Sequence, residues 1–120
     1  MPTRIAKSFT FDAAHRLPRV PAGHPCGRLH GHTYTATLVL EGPVGAESGW
    51  IVDFGVIKAA LQPLRERLDH ACLNDIAGLE NPTAELLARW IYAQLAPTLA
   101  LLVEVTVRET PTSSATYRPD

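Results

Sequence analysis

Cys26-Gly-Arg-Leu-His30-Gly-His32-Thr-Tyr34-Thr-Ala36-Thr-Leu38-Val-Leu40-Glu41 is the stretch whose reading decides the fold. From His30 onward the residues alternate. His30, His32, Tyr34, Ala36, Leu38 and Leu40 share one side, and Thr33, Thr35, Thr37 and Val39 take the other. That two-residue period predicts a β-strand with one face on a core, ended by Gly42-Pro43. Residues two apart in a strand point the same way, so His30 and His32 can grip one ion together. Three neutral imidazoles bind Zn²⁺ and leave a fourth position open, as catalytic rather than structural zinc requires.

The third imidazole lies upstream. Residues 4–15 also alternate, with Ile5, Phe9, Phe11 and Ala13 on one face, continued by His15, and Ser8, Thr10 and Asp12 on the other. The intervening loop, 16–29, holds three prolines and two glycines. It is longer than an ordinary hairpin connection, and such loops often carry function. If the two strands pair antiparallel, the end of the first lies beside the start of the second, and His15 meets His30 and His32 at one end of the sheet.

Downstream, Gly45 to Gly49 reads as a turn and Trp50 to Val52 as a short extended piece. Asp53 then caps a helix whose apolar stripe is Ile57, Ala60, Leu61, Leu64 and Leu68. Pro63 opposes that helix, because an interior proline costs roughly 3 kcal/mol, and predicts a kink or a break. Asn81 as N-cap with Pro82 at the first helical position starts a second helix through Leu87, Trp90, Ile91 and Leu95. Alternation returns from Leu101, with Val103, Val105, Val107 and Glu109 on one side, and a last short strand spans 115–118. The expected fold is α+β: an antiparallel four-stranded sheet with two helices on one face, in the order ββααββ.

At 120 residues the chain is expected to be a single domain, 1–120. Hydrophobic residues make up 46% and charged residues 19%, an ordinary globular balance. The net charge of -1 argues against nucleic acid or a membrane surface as partner. No apolar run has signal-peptide or membrane-spanning character. Two cysteines in that setting suggest reduced thiols and a cytoplasmic protein.

Several residues have two readings. Cys26 could close the metal site as a fourth ligand, or stand off the metal as a catalytic thiol. Asp69-His70 could be an acid–base pair, or a helix-end histidine beside a solvated aspartate. Glu109 continues the line of Val103, Val105 and Val107, so its carboxylate must be paired or turned to a ligand. It could accept two charge-assisted hydrogen bonds from a guanidine-like edge, an arginine could neutralise it, or the strand end could expose it to solvent. Thr83 and Glu85 could line a pocket or simply suit a first helical turn. Asp53 reads as a cap and Cys72 as core. Arg16, His24 and Arg28 are candidates for an anion, by charge and loop location alone.

Taken jointly, six segments resemble the 6-pyruvoyltetrahydropterin synthase family. They are Phe9-Thr-Phe-Asp-Ala-Ala-His15-Arg-Leu, Cys26-x-x-x-His30-Gly-His32, Trp50-Ile-Val-Asp53-Phe, Leu68-Asp69-His70-x-x-Leu-Asn74, Glu80-Asn-Pro-Thr-x-Glu85 and Glu109-Thr. They run in order over nearly the whole chain. The short gap between Cys26 and His30 is more closely similar to the bacterial, carboxy-forming branch, which acts in queuosine precursor biosynthesis. The resemblance implies a tunnelling fold and a homo-oligomer, a hexamer built from trimers, with active sites between subunits. It implies zinc on His15, His30 and His32, Cys26 as proton-abstracting thiolate, and Asp69-His70 as proton relay. Glu109 would anchor the pterin and join that relay, with Thr83 and Glu85 also at the substrate. The reaction implied is cleavage of 7,8-dihydroneopterin triphosphate to 6-carboxy-5,6,7,8-tetrahydropterin, acetaldehyde and triphosphate. A pyruvoyl-forming or aldolase-like relative would share nearly all of these residues. A zinc-stabilised binding module would share the histidines and have no use for Asp69-His70.

Overall fold

A computed structural model describes residues 2–120. Two long strands, β1 (Thr3–His15) and β2 (His30–Gly42), pair antiparallel along their whole length, from Thr3 opposite Gly42 to His15 opposite His30. The alternation explains why. Phe9, Phe11 and Ala13 of β1 and Tyr34, Ala36, Leu38 and Leu40 of β2 are buried on one face. Slipping the register by one residue would carry that whole set into water.

Helix α1 (Phe54–Leu68) starts at Asp53, whose Oδ1 accepts the Gly55 N–H at 2.9 Å, as a cap should. The break or kink expected at Pro63 does not interrupt it: one helix runs from Phe54 to Leu68. Pro63 and Ala59, the residue whose carbonyl loses its partner, are both exposed, so water can take the missing bond. Burial of Ile57, Leu61, Leu64 and Leu68 holds the opposite face, at about 1.5–3 kcal/mol per side chain. Trp50 to Val52 form a bend, not an extended piece.

The sheet has five strands, not four. After α1 a two-residue strand, β3 (Ala71–Cys72), pairs parallel with β1, Ala13 opposite Ala71. Two residues are too short for any periodicity to announce. The second helix, α2 (Ala84–Leu95), is capped by Thr83 and not by Asn81; Thr83 Oγ1 accepts the Leu86 N–H at 3.1 Å. Strands β4 (Leu102–Thr110) and β5 (Ser113–Tyr117) complete a mixed sheet of order β3-β1-β2-β4-β5. Helix α1 packs on β1 and α2 on β4 and β5, closing one core on one side of the sheet. Cys72 lies at its margin, half-buried, with Sγ 3.8 Å from Asn74 Oδ1.

Candidate metal centre and its surroundings

The strand register brings the three imidazoles together. His15 and His30 face each other across the ladder, and His32 stands opposite Ala13, two residues back. One ring nitrogen from each lies within 4.8 Å of the other two. His15 Nδ1 sits 2.8 Å from the Pro82 carbonyl and His30 Nδ1 sits 2.7 Å from the Arg28 carbonyl. A carbonyl only accepts, so both Nδ1 atoms carry the proton and both Nε2 atoms present lone pairs. Those Nε2 atoms are 3.0 Å apart. Two lone pairs aimed at each other at that distance need a cation or a proton between them, and two nitrogens on tetrahedral zinc sit roughly 3.3 Å apart. Fixing each ligand through its second nitrogen is how proteins orient metal-binding histidines. His15 is fully buried, and that burial is the main cause holding its pKa below the ordinary imidazole value, against the Pro82 carbonyl and Glu109. The neutral form so favoured is the one that ligates. The donor set therefore fits a metal ion.

Glu109 faces the same centre. Its Oε2 is 3.3 Å from His15 Nε2 and 3.5 Å from His32 Nε2, and its side chain is 27% exposed. These ring nitrogens are the groups within ion-pair distance of its carboxylate, and no arginine pairs with it among the described residues. Arg108 pairs with Ser114 and Thr110 with Ser113, so Glu109 is the extra residue of a β-bulge. Bulges of this kind re-aim a side chain beside a site. Glu109 also joins two hollows. One, of about 430 Å³, includes Glu85 and Ser114; the other, of about 470 Å³, includes His32 and Arg108.

Below the histidines, the Tyr34 ring meets His15 and His32 edge-on at 5.8 and 5.4 Å and stacks on Phe11 at 5.0 Å. Its hydroxyl is buried without a hydrogen-bond partner, and burial pushes its pKa well up.

Two expected groups stand apart from this cluster in a single chain. The sulfur of Cys26 is not among the donor atoms gathered within 4.8 Å, so Cys26 is not a fourth ligand here. It lies in a tight turn of 25–27, held by Leu17 N–H to Cys26 O at 2.8 Å. Asp69 and His70 do form a pair, Oδ2 to Nδ1 at 3.0 Å. The Asp69 carboxyl is held below its usual range, first by the Asp12 N–H bonded to its Oδ1 at 2.9 Å and then by His70 and Arg65. His70 adopts φ 61°, a left-handed conformation uncommon outside glycine, though histidine is among the residues that enter it more readily. The Asp12 carbonyl fixes it by accepting the His70 N–H at 2.6 Å. The ring is 79% exposed and borders a hollow of about 480 Å³ with Asp12, Ala13, Ala14, Gly31, His32 and Thr33. His70 thus opens to solvent at the sheet end that carries the three histidines, on a hollow that His32 also borders. Thr83 spends its hydroxyl on capping α2, while Glu85 borders the hollow beside Glu109.

Asn74 is a contributor that pattern reading missed. Its Oδ1 accepts the Arg16 N–H at 3.0 Å and its Nδ2 donates to the carbonyls of Arg16 at 2.8 Å and Glu80 at 3.3 Å. It ties the residue after His15 to the segment that supplies the Pro82 carbonyl. Its place in the Leu68–Asn74 segment was visible; a side chain pairing with backbone leaves no periodic trace.

Residues 4–120 match the sequence model of the family described as 6-pyruvoyl tetrahydropterin synthase. The 6-carboxy-5,6,7,8-tetrahydropterin synthase of Synechocystis sp. is 44% identical over 119 residues, covering 94% of this chain and 91% of that protein. The Bacillus subtilis enzyme of the same name is 38% identical over 127 residues, covering 96% and 84%. Among solved structures, Caenorhabditis elegans 6-pyruvoyl tetrahydropterin synthase superposes with a TM-score of 0.92 at 25% identity, covering 100% of this chain and 97% of that chain. The α+β tunnelling fold expected from the sequence is the fold this chain has.

Proposed function

Since this chain belongs to the 6-pyruvoyl tetrahydropterin synthase family, we propose that it is a zinc-dependent carbon–carbon lyase. With water it converts 7,8-dihydroneopterin triphosphate to 6-carboxy-5,6,7,8-tetrahydropterin, acetaldehyde and triphosphate, in queuosine biosynthesis. The observation that carries the reading is the convergence of His15, His30 and His32, with Glu109 on the same centre, in a chain 44% identical to a carboxy-forming relative.

His15, His30 and His32 would hold the zinc, and zinc bound there supplies Lewis acidity toward side-chain hydroxyls and so acidifies the neighbouring C–H bonds. Cys26 takes a proton from the substrate side chain, as a thiolate near the metal but off it. His70, backed by Asp69, returns a proton. Glu109, aimed by its bulge, accepts from the aminopyrimidinone edge; Glu85 borders the hollow beside it, and Thr83 serves that end of the site through the cap that starts α2. Replacing Cys26 by Ala abolishes turnover and leaves zinc bound; loss of zinc with activity would make Cys26 a ligand after all.

The chain works as a cytoplasmic homo-oligomer, a hexamer of two trimers, with 1–120 as one domain. Support for assembly comes from exposure: Asp69 and His70 lie outside the donor group of His15, His30 and His32, and the His70 ring is 79% exposed, where a neighbouring copy can bring its own metal to that relay. No helix is long and apolar enough to cross a membrane among the described residues. The test is incubation of zinc-loaded protein with 7,8-dihydroneopterin triphosphate. Acetaldehyde is the expected product; a pyruvoyl pterin would move the chain to the sister activity, and absence of any turnover would leave a binding module.

A further inference from the structure

We propose that the loop of residues 16–29 is a polyphosphate-binding site, with Arg16, His24 and Arg28 as its donors. Three arginines and a histidine fall in this segment without one Asp or Glu, in a chain with 11 basic and 12 acidic residues. Arg16, His24 and Arg28 border one hollow of about 320 Å³, walled by Pro18, Pro21 and Gly27. Among the described residues neither guanidinium has a carboxylate partner, whereas Arg4, Arg65 and Arg118 each do. His24 Nδ1 accepts the Cys26 N–H at 3.1 Å, so its own proton sits on Nε2, free to donate. Guanidinium forks match phosphate oxygens in paired hydrogen bonds, and several such donors in one hollow suit a multiply charged anion.

The backbone beneath these donors is already fixed. Asn74 brackets Arg16 from both sides, Leu17 donates to the Cys26 carbonyl, and Arg28 donates to Pro25 O at 3.2 Å. A prefixed loop loses little freedom on binding. Its position adds the link to chemistry. Arg16 follows His15 directly, and the Arg28 carbonyl holds His30 Nδ1 at 2.7 Å. A substrate whose side-chain hydroxyls sit at the histidine centre carries a terminal phosphate only a few bonds further, and this loop leaves that centre after His15 and returns to it before His30. Binding there would also steady Cys26, two residues before Arg28. The identity of the ligand as the substrate's triphosphate rests on the function proposed above; the anion site itself does not.

The test titrates inorganic triphosphate into the zinc-loaded protein by calorimetry. Wild type binds, increasingly weakly as salt rises. Arg16→Gln and Arg28→Gln each weaken binding about tenfold or more, while Arg28→Lys keeps part of it. Lys58→Ala, which removes the same charge from helix α1, leaves it unchanged. Zinc content unchanged in each variant certifies that His15 and His30 remain in place. With the phosphorylated pterin, the arginine variants raise KM, and affinity for unphosphorylated neopterin stays as it was. Wild type failing to bind triphosphate, or the double variant binding within about twofold of it, overturns the site. Arginine-dependent triphosphate binding in a protein that forms no acetaldehyde would keep the site and sink the reaction; acetaldehyde formed with unchanged KM in the double variant would do the reverse.

Discussion

Tyr34 is the residue with the most to say about how the centre is supported. Its ring wedges beneath His15 and His32, yet its hydroxyl is buried and unpartnered. The ring and not the hydroxyl therefore does the supporting. Tyr34→Phe should raise stability by about 1 kcal/mol, since it removes an unsatisfied polar atom and keeps the stacking; urea denaturation with zinc content alongside measures both. A loss of stability would mean that the hydroxyl has a partner in solution. Residue by residue, the histidine centre was legible because its three members share faces of two alternating strands. The strand period that exposed Glu109 as anomalous could not reveal its histidine neighbours, because those depend on a bulge. Asn74 and the Pro82 and Arg28 carbonyls were out of reach for a plainer reason: they act through backbone groups, which every residue possesses.

The elements differ in how openly they declare themselves. The long strands follow from a period kept over many residues, and α1 from its stripe. Pro63 misled because its cost was weighed without knowing that Ala59 and Pro63 face solvent. The start of α2 is the instructive error. Asn81-Pro82 carries a strong start signal, but Thr83 supplies the capping oxygen and Pro82 instead turns its carbonyl to His15. The cap and the carbonyl that orients His15 are thus neighbours in one short segment. Thr83→Ala should cost about 1 kcal/mol of stability, as loss of a cap does. It should also lower zinc affinity, because the Pro82 carbonyl loses its fixed position. Chelator competition reads the second effect, and an unchanged zinc affinity would show that the carbonyl is held without the cap.

At the level of the whole molecule, one chain is elongated, with principal extents of 57 × 26 × 24 Å, and its sheet is covered on one side only. The order of the four longer strands and two helices could be read from periodicity; the two-residue β3 between the helices could not. Which face another copy covers could not, because the pattern along a strand separates inside from outside but not water from a neighbour. If each relay serves the next copy, two dead variants repair each other. Cys26→Ala and His70→Ala proteins, each inactive, should regain roughly a quarter of the wild-type rate when dissociated together and reassembled one to one. Mixtures as silent as their parts would confine each site to a single chain. One last consequence follows from His15 standing directly across from His30. The rungs of the ladder keep that pair together, and of residues 16–29 the two ends, Arg16 and Arg28, are tied to the centre while the arc between them travels out and back. Grip and reach are therefore separable: the connecting arc can be lengthened, shortened or recharged in a descendant protein to suit a different leaving group, while the cation stays in the same hands.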